Sequence, residues 1–133
     1  MLGNLTKVFS LLCLLSFSFN TQADFKDWEK KDKLLFGTYV GLNVVDVGQT
    51  FDLINCQQTN LNCPYEEKNP IIGKSPSKEK IILYKTLMTG VVYHALERTP
   101  DKNRTGTLLI INGIMLGTVL NNRNIGLSFT LRF

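Results

Sequence analysis

Residues 34–54 read LLFGTYVGLNVVDVGQTFDLI, and the reading of this stretch decides the fold. Its apolar residues recur without turn punctuation over about 21 positions, a length that as a helix reaches across a bilayer at about 1.5 Å per residue. On a helical wheel Gly37, Gly41 and Gly48 fall on one side, with a GxxxG spacing between the first two. Asn43, Asp46 and Thr50 fall on the opposite side. One face therefore invites close helix packing, and the other carries polar groups into an apolar setting.

Downstream, residues 55–79 are rich in Asn, Gln, Gly, Ser and Lys, with prolines at 64, 70 and 76. No helix survives that spacing. Ser77, followed by Glu79, is placed to cap a second helix over about 80–98. The segment 99–104 reads as a charged turn, and a third helix is expected over about 106–120. That helix repeats the small-residue theme with Gly113 and Gly117 and carries Asn112. Asn121, Asn122, Arg123 and Asn124 are expected to break the chain.

In the tail, 125–133, Leu127, Phe129, Leu131 and Phe133 alternate with Ser128, Thr130 and Arg132, the period of a strand. A terminal Phe is similar to the closing strand of outer-membrane barrels, but a barrel needs many such segments. The fold expected is mostly α: a membrane-embedded three-helix bundle with a short β-like tail, and a single domain over 24–133.

Upstream, Lys7, the apolar run Val8–Phe19 and the small residues Thr21 and Ala23 have the order of a signal peptide covering 1–23, with charge beginning at Asp24. Cys13 lies inside the apolar run behind Leu11 and Leu12, which argues against lipidation. Export places Cys56 and Cys63 in an oxidising compartment, where they are expected to form a disulfide. The charged stub 24–33 contains Trp28, a residue suited to a membrane interface.

Hydrophobic content is 44% and the formal net charge is +4, too apolar for disorder. Charges of both signs alternate, with no basic stripe interleaved with aromatics, which excludes a nucleic-acid track. Gly73-Lys74-Ser75 lacks the upstream glycine of a phosphate loop. No metal-ligand spacing appears, and no cofactor is expected.

Asp46 stands out chemically. A carboxylate inside an apolar helix costs several kcal/mol unless paired, bonded or protonated. His94, the one histidine of the chain, is its expected partner. An Asp–His pair suits general acid–base work as well as a structural bond. Asp46, His94 and Glu67 are accordingly the candidate catalytic residues, and Asn43, Asp46, Thr50, His94 and Asn112 form an expected polar seam.

Asp46 with Gln49-Thr50, Glu67-x-Asn69-Pro70, Gly73-x-x-Pro76 and a following helical His resemble a family of small, uncharacterised exported membrane proteins of bacteria and phages. The resemblance covers about residues 34–96 and implies a shared scaffold around Asp46, Thr50, Glu67, Asn69 and His94, without implying a reaction. The Cys56–Cys63 stretch departs from that pattern.

The function expected is an accessory or interaction role in the cell envelope, in the membrane, with the inner membrane favoured over periplasm or outer membrane. The expected partner is a protein or a second copy, met through the glycine-lined faces. One alternative is a membrane-embedded hydrolase using Asp46, Glu67 and His94. Another is an outer-membrane component acting through its tail.

Overall fold

The computed structural model describes residues 24–59, 62–64, 66–67 and 69–127. The expected leader and residues 128–133 of the expected tail lie outside the described residues. A single 3-10 turn, Phe25–Asp27, leads into three helices: α1, Lys30–Thr59; α2, Lys78–Glu97; and α3, Asp101–Asn124. Among the described residues no strand is present.

Each helix except α2 is longer than the sequence suggests, for reasons that lie at its ends. α3 begins immediately after Pro100, whose carbonyl accepts from the backbone N–H groups of Asn103 and Arg104, while Asp101 complements the positive end of the helix. The expected charged turn is thus largely helical. At the other end, the asparagines at 121–124 continue the helix instead of breaking it. The stop comes at Gly126, at φ +99°. Gly126 N–H bonds to Arg123 O and Leu127 N–H to Asn122 O, both at 3.0 Å. These are the two bonds of a Schellman closure, which a glycine at positive φ permits. α2 starts as expected at Ser77, whose hydroxyl accepts from Lys80 N–H at 3.3 Å.

α1 and α3 run parallel, since Asp32 meets Thr105, Leu35 meets Asn112 and Asp46 meets Asn122. They form the best-packed pair. α2 runs back between their ends and is fully buried only at Ile81 and Leu96. Two apolar clusters result. At one end Leu53, Ile54, Ile72, Ile81 and Leu127 pack together. At the other, Trp28, Leu96 and Leu108 pack beneath Phe25, Phe36 and Tyr93. Trp28, expected at an interface, is instead buried at 3% exposure, with its ring stacked on Tyr93.

The cap over this second cluster is Arg104, which is 1% exposed. Its Nε donates to Leu96 O at 3.0 Å and its Nη2 to Thr99 O at 2.9 Å. Its Nη1 meets Asp101 Oδ1 at 2.7 Å, and its guanidinium lies 4.8 Å from the Trp28 ring centroid. Arg104 thereby adds side-chain donors to the carbonyls at and just beyond the C-terminal end of α2, where the helix lacks donors of its own.

Much of the rest of the interior is polar. Asp32, Asn43, Asp46, Gln49, Thr50, Arg104 and Asn112 are buried, while Leu83, Leu87, Leu109, Ile110 and Ile114 are among many large apolar residues left exposed. Among the described residues no helix is long and apolar enough to cross a membrane. The expectation that 34–54 would itself read as a span is therefore not met. The reason is the polar seam, which dilutes the apolarity of α1.

Candidate functional site

The side chain of Asp46 organises the middle of the bundle. Its Oδ2 lies 2.5 Å from Lys85 Nζ on α2. Its Oδ1 accepts from Asn122 Nδ2 on α3 at 2.9 Å. Asn122 Nδ2 also reaches Gln49 Oε1 at 3.2 Å, and Gln49 Nε2 donates to Val119 O at 3.1 Å. One carboxylate thus ties three helices together. The charge is neutralised by a lysine and its second oxygen is bonded, which is what a buried carboxylate requires.

The expected Asp46–His94 pair is not made. His94 is half exposed, and its Nδ1 lies 3.5 Å from Glu97 Oε2 on the same helix. It is nine residues beyond Lys85, roughly 13.5 Å along α2, and faces away from the seam. Lys85, about two and a half turns earlier on α2, takes the role because its side chain projects inward at the level of Asp46.

The other expected seam residues are buried, but most of their bonds are local. Asn43 Nδ2 donates to Tyr39 O at 3.0 Å and Thr50 Oγ1 to Asp46 O at 2.9 Å. Asn112 Nδ2 donates to Leu108 O at 2.8 Å and across to Leu35 O at 2.9 Å. Bonding to the carbonyl four residues back lets a helix bury such side chains without a partner helix.

Asp46, Thr50, Glu67 and Asn69 line one pocket of about 290 Å³ at the end of the bundle, together with Lys85 and Asn122. Its wall is a loop built from turn chemistry. Glu67 Oε1 accepts from Asn69 N–H at 2.9 Å, and Asn69 Oδ1 accepts from Ile71 N–H at 3.0 Å. Asn69 O takes the N–H of Gly73 at 3.0 Å, a turn that places Gly73 at φ +87°. Asn69 Nδ2 reaches Tyr84 Oη at 3.2 Å, and Lys80 Nζ reaches Ile72 O at 2.7 Å. The Cys56–Cys63 disulfide is formed and fastens the end of α1 to this loop. Gln57 Nε2 adds a bond to Lys74 O at 3.1 Å.

Of the residues that carry the family resemblance, the pocket gathers Asp46, Thr50, Glu67 and Asn69 and leaves out His94. Of the candidate catalytic set, Asp46 and Glu67 share the pocket and His94 does not, so those three groups do not converge. Among the described residues no group of His, Cys, Asp and Glu is arranged to hold a metal ion.

The glycines expected to pack helices behave differently from one another. A Cβ added to Gly37, Gly41, Gly113 or Gly117 would meet nothing within 4 Å, so these four pack against no helix among the described residues. Gly48 alone of the set is buried. Lys85, Asn122 and Arg104 were invisible as site residues to sequence reasoning. The one available signal was Lys85 itself, a lone charge inside an apolar run opposite a lone carboxylate.

No protein family, curated protein or solved structure matches the chain.

Proposed function

We propose that the protein is a membrane-embedded accessory component of a cell envelope, in the inner membrane, acting through interaction and not through catalysis. The observation that carries the reading is the placement of charge. Between Lys33 and Asp52 the one charged residue of α1 is Asp46; between Lys80 and Glu97, α2 carries Lys85 and His94; between Arg104 and Arg123, α3 carries none. Asp46 and Lys85 neutralise each other inside the bundle, and His94 sits near the edge beside Glu97.

The helix register sets these three stretches side by side. They give an uncharged band roughly 24–27 Å tall, against about 30 Å for a hydrocarbon core. Its outer surface carries Ile82, Leu87, Val91, Leu109, Ile110 and Ile114, all exposed. Polar groups turned inward and apolar groups turned outward is the arrangement that lipid favours and water penalises. The helix averages fall short of a span because they count the inner face with the outer one.

An accessory role is preferred because Asp46 is engaged by Lys85 and Asn122, and His94 of the hydrolase alternative lies outside the pocket that holds Asp46 and Glu67. Membrane fractionation of the expressed full-length chain with a carbonate wash tests the reading. Retention in the inner-membrane pellet is expected. Release into the soluble fraction would overturn it.

A further inference from the structure

Two cavities share Lys85 as a wall. One is the polar pocket at the end of the bundle, about 290 Å³. The other is an apolar groove of about 340 Å³ on the flank, between α1 and α2, walled by Val40, Val44, Val47 and Ile82. Lys85 lines both. The groove lies along the part of α2 between its two buried residues, Ile81 and Leu96. Sizes of this order are those of small-molecule sites, about 300–1,000 Å³.

The two cavities differ in chemistry. The groove offers aliphatic walls with Thr86 and Thr89 along one side. Among the described residues the pocket is lined by three carboxylates, Asp46, Glu66 and Glu67, and one ammonium, that of Lys85. Lys85 is engaged by Asp46, and Glu66 is paired from the surface by Lys74 at 3.5 Å. Glu67 accepts the Asn69 N–H, which leaves its second oxygen for a guest. The chamber is therefore net negative, and its complement is a cation. An anionic head would meet the Glu67 carboxylate, which no lysine among the described residues neutralises.

We propose that pocket and groove form one site for an amphiphile with a protonated amine head and a single alkyl chain. The amine meets Glu67, and the chain leaves past Lys85 to lie against Val40, Val44 and Val47. The inference rests on the two cavities and their charge, and does not depend on the bundle being embedded.

The test is native mass spectrometry of the full-length protein in octyl glucoside, titrated with dodecylamine, dodecanoate or butylamine. Dodecylamine should form a saturable one-to-one complex at least tenfold tighter than either of the others. Glu67→Gln keeps an acceptor for the Asn69 N–H and should weaken dodecylamine binding at least tenfold. Val44→Trp fills the groove from a position that is 54% exposed, and should do the same. Dodecanoate binding as tightly as dodecylamine would overturn the proposal without reference to any variant. So would the absence of saturable dodecylamine binding, or an affinity unchanged in Val44→Trp that retains its circular dichroism.

Discussion

Lys85 Nζ closes on Asp46 Oδ2 at 2.5 Å across the α1–α2 seam, where the lysine side chain is 20% exposed and the carboxylate 8%. Removing one member of a buried pair leaves the other charge uncompensated, which costs more than the pair contributes. Asp46→Asn and Lys85→Met should each destabilise the protein by about 3 kcal/mol. The double variant should recover at least about 1 kcal/mol of the summed loss, the coupling expected of contacting residues. Denaturant melts of the four proteins measure this. His94→Ala, in contrast, should stay within about 0.5 kcal/mol of the parent, as surface changes do.

Arg104 should tolerate no conservative replacement. Its three nitrogens serve three separate acceptors, on α2, on the turn after it and on α3, and its guanidinium lies over the Trp28 ring. A lysine ammonium supplies charge but neither the fork nor the stacking. Arg104→Lys should therefore cost about 2–3 kcal/mol, read as a lowered midpoint in urea. A loss equal to that of Asp101→Ala alone would show that the exposed ion pair, and not the backbone carbonyls, is what matters.

The contrast between these two sites shows what the sequence makes legible. The three helices, the Ser77 cap, the disulfide and the singularity of Asp46 follow from periodicity, turn residues and cysteine placement. The partner of Asp46 does not. His94 and Lys85 lie on the same helix, and the choice between them depends on which side chain points inward at the height of Asp46. That height is fixed by the crossing of α1 and α2, which local pattern does not encode. The ends of α3 escape local pattern for a related reason. Asn121–Asn124 resembles a breaker, yet Asn122 is held in the helix by Asp46 and Gln49, and the stop belongs to Gly126. Arg104 looked like one charge of a surface turn, and only the meeting of Trp28, Leu96 and Leu108 buries it.

The disulfide should matter mainly to the loop that walls the pocket. Cys56 and Cys63 are seven positions apart, and closing a loop of that size is worth about 2.5 kcal/mol on the chain-entropy account. Reducing the protein, or replacing both cysteines by serine, should lower the thermal midpoint. Hydrogen exchange should rise at Glu67 and Asn69 while the middle of α1 keeps its protection. Uniform loss of protection would mean that the bridge holds the whole bundle.

Ile114 separates a bundle in water from a bundle in lipid. It stands on the outer face of α3, 64% exposed, midway along a stretch without charge from Thr105 to Asn122. In water Ile114→Lys touches nothing and should change stability by no more than about 0.5 kcal/mol. In a bilayer the same lysine faces hydrocarbon near the middle of a helix, at a cost of about 2.5–3.5 kcal/mol. The variant should therefore lose carbonate-resistant membrane retention, while Asn103→Lys, outside the uncharged band, keeps it. Equal retention of the two variants would mean that the outer face of α3 does not meet lipid, and that its apolar residues are covered by protein.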